Sequence, residues 1–152
     1  MSAITAPRGF VAAGIHAGLK PSGKLDLSLI ATADGRPVSA AAVFTSNKLA
    51  AAPVQVSRAH LAASAGQAAA VIINSGNANA ATGLAGYAHA ERMCALTAAE
   101  LQCRPEEVLV CSTGLIGIPM PFDVIETAIP RVSAAGSTMG GTDAATGIMT
   151  TD

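Results

Sequence analysis

Hydrophobic and polar positions change rhythm several times along the chain. Before Thr45, short apolar stretches alternate with turn signals at Gly9, Gly14, Gly18, Pro21-Ser22-Gly23 and Ala33-Asp34-Gly35-Arg36-Pro37. Such punctuation predicts short strands joined by turns. Leu25-Asp26-Leu27-Ser28-Leu29-Ile30 alternates with period two, which predicts a strand buried on one face. Ser39 to Thr45 and Pro53 to Ser57 read as further strands around a loop at Ser46-Asn47-Lys48, and Arg58 to Ala65 as a short helix ending at Gly66. Ala69 to Ile73 is wholly apolar, β-branched at its end and stopped by Asn74-Ser75-Gly76, the pattern of a central strand. Leu84, Tyr87, Cys94, Ala98 and Leu101 recur near helical spacing, so a helix spans Gly83 to Leu101 with Thr82 as its cap. Val108 to Ser112 predicts a second buried strand. A helix follows from Pro121 or Phe122 to about Ile129, ended by Pro130, and Gly140-Gly141-Thr142-Asp143 opens a last short helix capped by Thr142 or Asp143.

These elements add up to one α/β domain over residues 1–152, a layered sandwich whose mixed sheet needs helices over its apolar strands. Hydrophobic residues make up 51% of the chain, charged residues 12% and aromatics 3%, so the core is built of Ala, Val, Ile and Leu. So little charge leaves few groups to coat a free surface, the pattern of an apolar interface with a missing partner or, equally, of a compositional bias toward alanine. A net charge of −1, with no basic stripe, argues against nucleic acid as a partner. Apolar runs such as Ala68 to Ile73 fall far short of the ~20 residues that span a bilayer, and the start at Met1 to Arg8 lacks a secretory pattern. A cytoplasmic location is expected. Cys94, Cys103 and Cys111 show no metal-ligand spacing with His16, His60 or His89, and predict reduced structural thiols, Cys111 as a small buried one. No metal site is expected, and the histidines and Glu106-Glu107 read as structural.

Two loops could carry chemistry. In Val108 to Gly117, an apolar strand drops into Cys111-Ser112-Thr113-Gly114. Thr113 offers a hydroxyl donor and Gly114 a backbone N–H that no Cβ shields, so the pair could hold an oxyanion; equally, the hydroxyls could serve only a tight turn. The absence of Gly-x-Ser-x-Gly argues against a serine hydrolase, and a phosphate loop fails because Gly-x-x-x-x-Gly-Lys-Ser/Thr is missing and no lysine lies near. The second loop, Asn74 to Gly83, follows a buried strand and carries Asn74, Asn77 and Asn79, which donate and accept hydrogen bonds without adding charge. Its plainer reading is an ordinary strand-to-helix connection.

Seven motifs taken together resemble the N-terminal part of the ornithine acetyltransferase family, the bifunctional glutamate N-acetyltransferases of arginine biosynthesis. They are Pro7-Arg-Gly-Phe10, Gly18-Leu-Lys-Pro-Ser-Gly23 with Leu25-Asp-Leu27, Ala41-Ala-Val-Phe-Thr45, Ala51-Ala-Pro-Val54, Asn74-Ser-Gly-Asn-Ala-Asn79, Cys111-Ser-Thr-Gly-Leu-Ile-Gly117 and Ile148-Met-Thr-Thr-Asp152. The resemblance implies a precursor that cleaves itself into α and β chains, the new N-terminal threonine of β being the nucleophile. That threonine takes the acetyl group of N-acetylornithine and passes it to glutamate, and some members also accept acetyl-CoA. It also implies that Thr113 and Gly114 form the oxyanion hole and that Thr150 contacts substrate. No cofactor is needed, and a layered αββα arrangement completed by the β chain, within a higher α/β hetero-oligomer, is expected.

Two departures from the family pattern stand out. Ala81 lies where members often carry cysteine, and the sequence ends at Asp152, before the Lys-Gly stretch and the Ala-Thr cleavage point. The expectation is therefore an incomplete α segment, inactive alone because the nucleophile is missing. The rival expectation is a non-catalytic α/β module that binds a small anionic metabolite or docks a partner.

Overall fold

The computed structural model describes residues 4–150; Met1 to Ala3, part of the stretch read for a leader, and Thr151 and Asp152 of the last motif lie outside the described residues. Four strands form a mixed sheet in the order β1-β2-β5-β6: β1 (Phe10–Ile15), β2 (Leu27–Thr32), β5 (Ala70–Asn77) and β6 (Val108–Leu115). The first three run antiparallel to their neighbours, while β5 and β6 are parallel, with Ser75 opposite Thr113 and Gly76 opposite Gly114. A parallel pair needs a long crossover, and α2 (Gly83–Leu101) lies within it, at the predicted bounds. Two short strands, β3 (Val38–Ser39) and β4 (Gln67–Ala68), pair separately.

Ala13, Leu29, Ile72 and Val110 stand side by side across the ladder and point to one face. Three helices cover that face: α1 (Ala52–Ala63), α2 and α3 (Phe122–Ala134). Val56, Ala90, Met93, Cys94, Ile125, Ile129 and Val132 complete the core from the helix side. The opposite face is covered over β1 and β2 by α4 (Gly141–Gly147), which lies almost on the strand backbone. A Cβ at Gly14 would come within 2.1 Å of the Asp143 carbonyl, and one at Gly140 within 1.8 Å of the Ala12 carbonyl. Beyond Ser75, which is buried against the end of α4, no element among the described residues covers this face over β5 and β6: Val71, Ile73 and Leu109 are half-buried and Cys111 is exposed. The mixed sheet with helices packed on it agrees with the sequence reading, but helices cover both faces only at β1 and β2.

Several local expectations are corrected. Leu25–Ile30 does not alternate in burial: the strand starts at Leu27, and Leu27, Ser28 and Leu29 are all buried because β2 is covered on both faces. Pro53–Ser57 is helical, continuous with the predicted short helix, since Pro suits a first turn and Pro53, Val56, Ser57 and His60 recur at helical spacing. Of the predicted strand at 39–45 only Ser39 lies in a paired strand, β3; Ala40 N–H still donates to the Gly66 carbonyl (2.8 Å), but the stretch after it is not a strand, and Val43 and Leu49 are exposed. Leu84 is 91% exposed, and α2 buries Gly86, Ala90, Met93, Cys94, Thr97 and Ala98 instead. Pro130 does not end α3: it sits on the exposed side, while Ile129 and Val132 extend the buried face past it. Gly140 occupies the cap position of α4, because only a residue without a side chain fits against Ala12.

Candidate active site

The parallel pair β5–β6 fixes the site, since ligands of open α/β sheets lie beyond the carboxyl ends of parallel strands. There the chain forms a cavity of about 670 Å³ lined by Thr113, Gly114, Gly76, Lys20, Thr150 and others. The three residues singled out from sequence, Thr113, Gly114 and Thr150, are thus brought together from segments 36 residues apart.

Strand pleat decides which hydroxyl faces the cavity. Ser112 lies on the helix-covered side, its Oγ buried without a hydrogen-bond partner, whereas Thr113 lies on the other face with Ser75 and is exposed. The backbone edge is equally ordered. Val110 N–H donates to Ser57 Oγ (2.9 Å), Ser57 Oγ donates to the Val110 carbonyl (2.8 Å), and His60 Nδ1–H donates to the Val108 carbonyl (2.9 Å). Those groups point away from β5, so by the alternation of the strand the Gly114 N–H lies on the same outer edge. Glycine is required there, because φ is +133° and a Cβ would stand 2.4 Å from the Gly76 carbonyl carbon.

The wall opposite is a loop built on a carboxylate. Asp26 is fully buried, and its two oxygens accept the backbone N–H groups of Ala17 (2.6 Å), Gly18 (3.2 Å), Leu19 (2.7 Å) and Lys20 (2.9 Å). Sequence reading placed Asp26 on the polar side of a strand and missed this role; the signal was an acidic residue just after a Gly- and Pro-punctuated turn. Lys20 Nζ donates to the Leu25 carbonyl (2.8 Å) and the Met149 carbonyl (2.6 Å), and desolvation pulls its pKa below the ordinary lysine value. Lys20 and Lys24 are the charged residues among those lining the cavity.

Asn74, Asn77 and Asn79 do not line it. Asn74 Nδ2 donates to the Asn77 carbonyl (2.8 Å), Asn77 Nδ2 to the Ile118 carbonyl (3.1 Å) and Asn79 Nδ2 to the Gly86 carbonyl (2.7 Å). These buried amides shape the loop, and Gly76 is the member that reaches the cavity. Thr82 precedes α2 but makes no cap bond, since its hydroxyl donates to Asn79 Oδ1 (2.6 Å). Cys94 is buried, as expected, and burial pushes its thiol well above the usual range. Cys111 is not buried as expected, because it sits on the uncovered face of an edge strand; partial desolvation still raises its thiol pKa, the opposite of what a nucleophile needs. Among the described residues no group of three or more His, Cys, Asp or Glu could hold a metal ion, and no helix is long and apolar enough to cross a membrane.

The fold and this arrangement define an α/β protein with a cavity lined by hydroxyl and glycine residues at the carboxyl end of its parallel strands. The family model described as "ArgJ family" matches residues 11–152, and the chain belongs to that family. It is 49% identical to the "Arginine biosynthesis bifunctional protein ArgJ" of Chlorobaculum tepidum over 96% of this chain and 35% of that protein. The protein of the same name from Symbiobacterium thermophilum is 47% identical over 98% of this chain and 37% of its own length. The chain therefore spans about a third of the curated relatives it matches. Among solved structures, ornithine acetyltransferase complexed with ornithine from Mycobacterium tuberculosis superposes with a TM-score of 0.90 at 44% identity, covering 98% of this chain and 79% of that one. The arginine biosynthesis bifunctional protein argJ of Bacillus halodurans gives 0.88 at 38% identity, covering 98% and 76%.

Proposed function

We propose that this chain supplies the oxyanion hole of an acetyltransferase that moves acetyl from N-acetylornithine to glutamate. The nucleophile is the threonine of a β chain outside this sequence. Its hydroxyl oxygen attacks the acetyl carbonyl carbon, the amide C–N bond breaks, and the hydroxyl proton leaves on the departing ornithine amine. Glutamate's amine then attacks the acetyl-threonine ester, the ester C–O bond breaks, and a proton returns to the threonine oxygen. In each half the carbonyl oxygen gains negative charge, which Thr113 Oγ–H and the Gly114 N–H stabilise. Thr150 contacts the substrate, and acetyl-CoA is a further candidate donor.

The observation that carries this reading is the convergence of Thr113, Gly114 and Thr150 on one cavity at the carboxyl end of β6. The uncovered face of β5 and β6 supports the partner: an apolar sheet face beside the cavity is where the remainder of a layered enzyme would pack. In the full-length enzyme, Thr113→Val is expected to lower turnover about 10²–10³-fold, the usual effect of losing one preorganised donor, with KM for N-acetylornithine little changed. Unchanged turnover in a folded variant would remove Thr113 from the mechanism and favour a binding module.

A further inference from the structure

We propose that Lys20 is a positioning residue of this cavity, fixing the segment that carries Thr150 against the strand that carries Thr113 and Gly114. The proposal rests on the acyl-transfer reading above and adds a residue to it.

Side chains from distant segments tie down α4 and the segment after it. A helix leaves its last carbonyls without partners inside the helix, and here side chains from elsewhere take them up. Ser28 Oγ donates to the Ala144 carbonyl (2.9 Å) and Ser75 Oγ to the Gly147 carbonyl, tying α4 to β2 and β5. Beyond them, Lys20 Nζ donates to the carbonyl of Met149, the residue next to Thr150 and 129 positions from Lys20. Burial does not fix this stretch, since Ile148 is 40% and Met149 62% exposed. An ammonium on a carbonyl is a charge-assisted bond, stronger than a neutral one, and a cation at a helix C-terminus also meets the negative end of the helix dipole.

Lys20 is itself held on both sides. Its N–H rests on buried Asp26 (2.9 Å) and its ammonium on the Leu25 carbonyl (2.8 Å). Its stem crosses Gly76, where a Cβ would come within 3.1 Å of Lys20 Cγ, and Gly76 is the residue packed against Gly114. One side chain thus spans from the backbone beneath the oxyanion hole to the backbone of the substrate-contacting threonine. A shift of about 1 Å in such a group costs on the order of 10²-fold in rate when it misplaces the reacting atoms.

The test is a double-mutant cycle in the full-length enzyme, assaying acetyl transfer from N-acetylornithine to glutamate, with thermal unfolding recorded for each variant. Lys20→Met keeps the stem and removes the donors. Thr150→Ala and Lys20→Met are each expected to raise KM for N-acetylornithine about tenfold, and the double variant to be no worse than Thr150→Ala alone, because both act through one contact. A double variant whose loss is the product of the two singles would overturn the proposal. If Thr150→Ala alone leaves KM unchanged, the substrate role of Thr150 falls first, a failure of the reading beneath and distinguishable from the other. Should Lys20→Met not fold, Lys20→Leu, which likewise removes the donors, takes its place in the same cycle with the same outcomes.

Discussion

Ser112 and Thr113 are chemical near-equals in sequence, and the pleat of one strand separates them into a buried hydroxyl beneath the helices and an exposed one at the cavity. Asp26 and Glu107 show how strongly position rules a carboxylate. Asp26 gathers four backbone N–H groups, while Glu107 accepts the Arg104 backbone N–H (2.9 Å) and the Arg104 Nε–H (2.8 Å). The backbone bond, and after it the Arg104 side chain and its charge, hold the Glu107 carboxyl below the usual glutamate range against the opposing effect of burial. A pKa lowered by folding adds stability above the unfolded value of about 4.3, and that stability is lost as pH falls through the folded value. Glu107→Gln is therefore expected to destabilise the protein at neutral pH, with the gap to native closing below about pH 4 in denaturation measured across pH. A gap that persists undiminished at low pH would refute the assignment. Thr113 and Gly114 were legible as an adjacent hydroxyl and glycine after an apolar strand. Asp26 and Lys20 were not, because their partners are backbone groups that only the loop's conformation brings near.

At the scale of elements, the informative contact is α1 against the outer edge of β6. An edge strand offers unpaired N–H and C=O groups, and Ser57 and His60 occupy them from one helix face. Ser57→Ala would leave the buried N–H and C=O of Val110 unpaired at once, so a loss of about 1–3 kcal/mol is expected, read as a lower denaturation midpoint. A midpoint equal to native would show that water or a shifted side chain replaces the hydroxyl. This contact also explains why the strand expected at Pro53–Ser57 is a helix. The local pattern is short and apolar, and only the spacing of Pro53, Val56, Ser57 and His60 taken over eight residues separates the two. At Pro130 the balance runs the other way: a residue that breaks helices locally is carried by the burial of Ile129 and Val132 on the face beyond it.

For the whole molecule, the uncovered face of β5 and β6 is the open question that the fold poses. Cys111 at its centre is exposed, so Cys111→Asp would change stability by no more than about 0.5 kcal/mol if the face stayed in water. Covered by the rest of the enzyme, the same carboxylate would be buried without a partner, and a loss of roughly 3 kcal/mol or more is expected in thermal unfolding of the full-length protein. An unshifted midpoint would mean that nothing packs there. The sequence by itself determined the α/β class, the helix at Gly83–Leu101, the two apolar strands and the hydroxyl-glycine pair, since each rests on periodicity or on residue type within a few positions. Tertiary structure alone decided that Thr150 and Thr113 line one cavity, that the asparagines brace a loop instead of lining it, and that Asp26 and Lys20 hold its wall. Those outcomes depend on contacts between distant segments, for which no local pattern exists.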